Sequence, residues 1–481
     1  MNPITYKPTL RATLSSLVAL MTAALLCAAP AAHAAPPVKT IQGVWLSPDW
    51  ILPGTRTYDE AQTRAIVRET LATLKKQGIN TVFLETLVRG TSVASGESLP
   101  LYPHLQWPYD KRGSRTVDVL QVVIDEAARQ DMDVHAWVHM FYWRMDNDDI
   151  FKPWQRARSI WDDLLVAWLD EQCGRLRART QHPELQRALE RISASVREGG
   201  VDGRAISAIL REAGYESGGR PLGRLVHELM AAGCQAPDFL LISSPADPFP
   251  HTPNRSLCPI YLDAASPKVH QRIVAAIRAI SQSHPDLAGI QLDHVRFPTE
   301  GHGIPPQWEP RGRDAVYFNR QIPVMAERYE CYRALVSRRC DDLTALVNEI
   351  RDRLHRGQML SAAVLPLYYV ERSEGVDRFN GYDYAAQDWH HWRVDFVVPM
   401  MYGFDPWRIR TLVRRFGAEA RAAAGDRAAP LVVPGVSRLQ MAKSGLLGND
   451  DFVYFDLTLG LDLRYEKERD EDYTWKPRRE Q

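Results

Sequence analysis

Short apolar runs of strand length alternate with amphipathic runs of helix length along most of this chain, and no other feature narrows its fold as much. Apolar runs at 40–48, 80–90 and 133–143 are separated by helical patterns at 58–78 and 114–130, which is a βαβαβ order. The rhythm returns with a helix at 266–283, a strand at 287–297, a long helical region at 314–356 and a strand at 359–369. It continues through a short helix near 384–392, a strand at 396–403, a helix at 407–424 and a strand at 431–436, with 452–455 as the candidate eighth strand. Strict alternation brings each strand back in the same direction. The class is therefore α/β, and the number of units favours a closed (β/α)8 barrel over an open sheet. No GxGxxG turn follows the first strand, which argues against a dinucleotide-binding sheet.

Two stretches depart from a regular barrel. After the third strand, 154–233 reads as several helices punctuated by Gly199-Gly200 and Gly218-Gly219. A helical insertion at about 150–238 is expected on a βα loop, where insertions commonly shape the substrate face; a decoration without ligand contact is the equal alternative. Near the end, only 440–451 separates the seventh strand from the eighth, so a shortened last βα unit is expected.

The ends read differently. Lys7 and Arg11 precede an apolar stretch at 17–29 and then Ala32-His33-Ala34, the pattern of a cleaved export signal at 1–35. The barrel is then expected over 36–460, with a charged tail at 461–481 and a periplasmic or secreted location. The apolar stretch is shorter than the roughly 20 residues that span a bilayer, so no stable membrane insertion is expected. Lys+Arg and Asp+Glu both total 59, and this balance gives no footprint for nucleic acid. Thirteen tryptophans suit stacking on sugar rings, although large core side chains account for most of them. Five cysteines lie beyond the leader; Cys331 and Cys340 share one expected helix, and Cys173 with Cys234 or Cys258 is the more plausible pair. No Cys/His spacing suggests zinc, and neither a cofactor nor a metal is expected.

The segment GIQLDHVRFP at 289–298 is an apolar strand ending in an acid, an arginine and a proline. A carboxylate at the C-terminal end of a barrel strand lies where this fold builds its active sites, so Asp293 is the first catalytic candidate, as general acid. Together with HAWVH at 135–139, PIYLDAASPKVHQRI at 259–273 and VDFVVPMMYG at 394–403, this segment resembles the glycosyl hydrolase-like family 10 proteins, read as exported TIM-barrel glycosidases. The L-D-x-[IV]-R-[FY]-P pattern, fitted by Leu292 through Pro298, is the most specific part of a resemblance that runs from Gln42 to Val436. It implies hydrolysis of a glycosidic bond in a polysaccharide or oligosaccharide, with Asp293 in the catalytic position.

Such hydrolysis usually needs a second carboxyl group. Glu85 on the second strand, Asp405 after the sixth and Asp49 after the first are candidates. By alternation Glu85 shares a face with Leu87 and Arg89, so a structural Glu85–Arg89 ion pair is an equal reading. Tyr402, in a Met-x-Tyr pattern similar to that of chitinase-like barrels, would instead serve substrate-assisted cleavage. His135, Trp137 and His139 share one strand face; the histidines, four residues apart, lie about 13 Å apart on a strand, too far to bind one ion unaided. They are expected as rim groups for substrate, with Trp45, Arg89, Arg296, Tyr368, Met400 and Trp407. A carbohydrate-binding barrel without turnover stays open as the other class, distinguished by whether a second carboxyl or Tyr402 stands beside Asp293. A metal-dependent hydrolase, the third option, requires clustered His and Asp side chains.

Overall fold

The computed structural model describes residues 40–52, 59–94, 117–145, 159–199, 202–215, 221–235, 237–240, 259–297, 322–366, 385–402, 404–425, 427–437 and 451–455. The expected leader, the charged tail and Tyr368 lie outside the described residues.

The strands are β1 (Gln42–Leu46), β2 (Thr81–Val88), β3 (Thr91–Ser92), β4 (Asp133–His139), β5 (Tyr142–Met145), β6 (Pro259–Tyr261), β7 (Gly289–Asp293), β8 (Met359–Val364), β9 (Phe396–Pro399), β10 (Leu431–Val432), β11 (Gly435–Val436) and β12 (Phe452–Tyr454). One sheet runs β10-β9-β8-β7-β4-β2-β1-β12-β11, parallel throughout, with β3 folded back against β2. Its two end strands are consecutive pieces of one segment. Leu431 and Val432 pair with Phe396 and Val397 of β9, while Gly435 and Val436 pair with Val453 and Tyr454 of β12. A parallel bridge between Met400 and Gly435 ties the second piece back to the end of β9. Pro434 lacks an N–H, so the segment breaks as a strand there while its carbonyl still accepts from Val453 N at 3.0 Å. The sheet thus curls until its ends meet.

Two apolar layers follow from the alternation. Trp45, Phe83, Trp137, Phe396, Val398, Val433 and Val453 form a cluster of their own on the inner face. Side chains such as Val44, Leu84, Val138, Leu292 and Val397 point outward into the larger core beneath the helices. Helix Glu60–Lys76 buries Val67, Leu71 and Leu74 there, started by a capping box in which Asp59 and Gln62 satisfy each other's backbone N–H. Helix Pro267–Ser283 buries Val269, Ile273, Ile277 and Ile280, an i, i+4, i+8, i+11 stripe that keeps to one face. Further helices are Val119–Ala128, Ile322–Arg353, which carries both Cys331 and Cys340, and Pro406–Ala424.

Some expectations need correction. The third strand is not one run over 133–143: β4 stops at His139, and β5 begins a separate antiparallel pair with β6. Helices Asp162–Arg179, Pro183–Gly199, Gly203–Glu212 and Pro221–Ala231 lie between β5 and β6 in the chain. The helix expected near 384–392 is a 3-10 turn, Trp389–His391. Leu87 does not share the face of Glu85. A bulge between them shifts the register against β4, so Leu87 joins the outer core and the alternation seen in the sequence stops at Glu85. Cys173 and Cys234 are both buried free thiols, not a disulfide.

Gly289 shows how closely the inner layer is filled. A Cβ there would collide with the Met359 carbonyl oxygen and lie 2.7 Å from His135 Nδ1. Gly289→Ala is expected to lower stability by about 1–3 kcal/mol, the usual range for overpacking a core, read as a drop in the thermal unfolding midpoint. An unchanged midpoint would show that this layer yields.

Candidate active site

β4 lies between β2 and β7, and this adjacency assembles the site. Trp137 is level with Glu85 on one side and Gln291 on the other, and His139 is level with Asp293. Ser47 follows β1, the neighbour of β2. The C-terminal ends of four adjacent strands therefore deliver Ser47, Glu85, His139 and Asp293 to one place.

Asp293 is 8% exposed. Trp137 Nε1–H donates to its Oδ2 at 3.0 Å and the His294 backbone N–H to its Oδ1 at 2.6 Å. Burial pushes its pKa up, but the imidazoles of His294 and His139, the His294 N–H and Arg296 outweigh it and hold the group below the ordinary carboxylate value. Glu85 is treated alike. Burial opposes its charge, and His139, Ser47 and Arg89 together override it, so its pKa is also lowered. Ser47 Oγ donates to Glu85 Oε2 at 2.6 Å, and His139 Nε2 lies 3.2 Å from Glu85 Oε1 and 4.0 Å from Asp293 Oδ2. One imidazole nitrogen thus faces two carboxylates. The strongest described contacts of Glu85 are Ser47 and His139, with Arg89 adding charge to that set, so the expected Glu85–Arg89 pair is not what holds Glu85.

Beneath these groups lies an aromatic floor. The ring of Trp45 is 6.3 Å from that of Trp137, and Tyr402 stacks on Phe455 at 5.4 Å with 25° between the planes. Trp45 Nε1–H donates to Gln291 Oε1, which fixes the indole across the interior. Burial, then the charge of Asp293, raises the Tyr402 pKa well above its ordinary value of 10.0, so its phenol stays protonated. Met400 packs on the same inner cluster.

The other expected residues separate. His135 is 1% exposed and sits lower in the interior, 4.9 Å from the Phe83 ring and 5.7 Å from Phe396; burial pushes its pKa down to about 3. It is a core histidine and not a rim contact. Trp407 is 68% exposed on the first turn of its helix. The side chain of Asp49 lies outside the described residues. Asp405 is exposed and caps helix Pro406–Ala424, its Oδ1 accepting from Arg408 N at 2.9 Å. That corrects its catalytic assignment, since the carboxylate is engaged by the helix start. Asp405→Ala is expected to cost about 1 kcal/mol of stability and to leave any activity unchanged. Loss of activity without a fall in melting temperature would restore Asp405 to the site.

No protein-family profile matches the sequence, and no curated protein matches it. Among solved structures the chain is similar to the glycoside hydrolase domain of PgaB (BpsB) from Bordetella bronchiseptica, with 11% identity, a TM-score of 0.42, and 87% of this chain and 94% of that one covered. It is also similar to the catalytic domain of a beta-amylase from Paenibacillus polymyxa, with 8% identity, a TM-score of 0.44 and the same two coverages. A third similar structure is a GH20 exo beta-N-acetylglucosaminidase from Vibrio harveyi, with 9% identity, a TM-score of 0.33, and 83% of this chain and 42% of that one covered. At such distances the chemistry of this site must be read from its own side chains.

Ser47, Gln291, His294, Phe455 and Tyr142 belong to the site and were not among the candidates. Ser47 and Phe455 each follow a strand end directly, the position that singled out Asp293. His294 fills the open position of the L-D-x-[IV] pattern. Tyr142 carries no such mark, because it belongs to a strand that the sequence merges with β4. Among the described residues, no group of three or more His, Cys, Asp or Glu could hold a metal ion, and no helix is long and apolar enough to cross a membrane.

Proposed function

We propose that this chain is an exported, eight-unit (β/α)8 glycoside hydrolase that cleaves a polysaccharide or oligosaccharide at the mouth of its curled sheet. The observation that carries the reading is the placement of Glu85 and Asp293 on either side of His139 Nε2, above the floor of Trp45, Trp137, Tyr402 and Phe455. The two His139 distances put the facing carboxylate oxygens no more than about 7 Å apart, which admits the roughly 5 Å gap of a retaining enzyme and only the lower edge of the inverting range. We therefore assign retention.

Both carboxyl groups are held ionised in the resting site. Asp293 is then suited to attack the anomeric carbon, which reverses the general-acid role that its strand position alone implies. The leaving oxygen takes a proton from the Glu85–His139 pair as its bond to carbon breaks and the Asp293 oxygen bonds to that carbon. Water next displaces Asp293, returning its proton to the Glu85–His139 pair and closing the cycle. Tyr402, kept protonated by burial and by the charge of Asp293, stays a neutral phenol in the site. A groove that only binds sugar needs the aromatic floor but gains nothing from two buried carboxylates around an imidazole, whose desolvation costs stability. Incubation of the purified protein with bacterial and plant polysaccharides should release reducing ends, and the first product seen by NMR should keep the anomeric configuration of the substrate. No release from any of them, with oligosaccharides still bound, would favour the binding barrel.

A further inference from the structure

His294 is the first residue after β7 and adopts φ +50, the left-handed region that costs a non-glycine residue energy. Its backbone N–H donates to Asp293 Oδ1, and the left-handed turn ends the strand alternation, sending Val295 into the outer core. Such strain persists only where neighbours over-determine it. The neighbours here are rings. Tyr142 of β5 stacks on the His294 imidazole at 5.2 Å with 26° between the planes, and His139 of β4 approaches it at 5.1 Å.

Tyr142 is itself held. It is opposite Tyr261 of β6, the rings 5.8 Å apart, and the Arg89 guanidinium lies 5.2 Å from its ring centroid. β5 and β6 are also the two ends of the chain excursion that contains the helices at 162–231. The return of that excursion is fastened here too, with Asp263 N donating to Phe239 O and Leu262 N to Phe141 O, each at 2.9 Å.

We propose that Tyr142 is a positioning residue: by stacking on His294 it holds the left-handed turn directly after Asp293, and so keeps the carboxylate and its His294 N–H partner in place and makes the β5–β6 arm part of the catalytic site. The activity arm of this inference rests on the reading of Asp293 given above; the arm itself is a matter of geometry. The groups that face His294 are Asp293 and Arg296 on its own segment, His139 on β4, and Arg89 after β2, with Tyr142 above. Burial keeps the His294 imidazole neutral down to about pH 3.

The test uses full-length protein labelled at histidine Cε1, with His294 assigned by His294→Gln, and compares wild type with Tyr142→Phe, Tyr142→Ala and Tyr142→Leu. Wild type and Tyr142→Phe should show no His294 titration between about pH 5 and 8, because the flat ring is kept. Removing it in Tyr142→Ala, or in Tyr142→Leu should the smaller variant not fold, should bring a titrating His294 signal into that range. On a hydrolysed substrate kcat should fall about 10- to 100-fold with KM nearly unchanged, and Tyr142→Phe should restore it. If the flat ring can be removed with neither the His294 signal nor kcat moving, Tyr142 only packs and the inference is overturned. If the His294 signal moves but wild type cleaves no glycan, the positioning stands and the proposed reaction fails.

Discussion

Asp293→Asn is expected to lower kcat/KM on a hydrolysed polysaccharide by at least about 10²-fold, and up to about 10⁴-fold, with little change in KM. The substitution keeps the volume of a side chain that is 8% exposed, so packing should survive. It removes the charge, however, and offers one acceptor oxygen where the carboxylate accepted from both Trp137 Nε1–H and the His294 N–H. One buried donor is left unpaired, which costs about 1–3 kcal/mol and should appear as a modest fall in melting temperature. The role as nucleophile makes a sharper demand. In Asp293→Gly the space beside the anomeric carbon is open, and added azide should recover turnover and give a glycosyl azide of inverted configuration. Full activity in Asp293→Asn would sink the assignment; a deep loss that azide leaves untouched would return Asp293 to acid or base duty.

The legible part of this molecule was the part governed by periodicity. Each strand of the curled sheet begins within a few residues of an apolar run in the sequence, because period-two burial on two faces leaves a continuous apolar signature. Asp293 was visible for the same reason, as a charge at the end of such a run. What periodicity could not show is where it fails. The bulge after Glu85 moves Leu87 to the outer core, and the left-handed His294 moves Val295 there, so residues that share a face on paper are parted in space. Asp405 and Asp293 look alike as acids after strands. Only the helix beginning at Pro406 decides that Asp405 is a cap, while Trp137 and His294 decide that Asp293 is a site. The meeting of Glu85 and Asp293 on His139 depends on β4 lying between β2 and β7, a register relation that spacing along the chain does not contain.

Glu85→Gln should also reduce turnover by about 10²- to 10⁴-fold, but in a different way, because it removes the carboxylate that lies 3.2 Å from His139 Nε2 and is proposed to pass the proton to the leaving oxygen. The expected signature is dependence on the leaving group. An aryl glycoside whose phenolate leaves easily needs little protonation, so Glu85→Gln should lose far less on it than on the natural linkage, whereas Asp293→Asn should lose heavily on both. The pH dependence of stability has a definite sign. The folded Glu85 pKa is lowered, chiefly by His139 and Ser47 against the opposing effect of burial. Its contribution is therefore present above the unfolded value of about 4.3 and disappears as pH falls through the lower folded value. The difference in melting temperature between wild type and Glu85→Gln should be widest near neutral pH and should shrink as pH falls below the unfolded value of about 4.3. Equal losses on activated and natural substrates would mean that Glu85 acts by holding His139 and Ser47 in place, and the source of the proton would have to be sought in Tyr402.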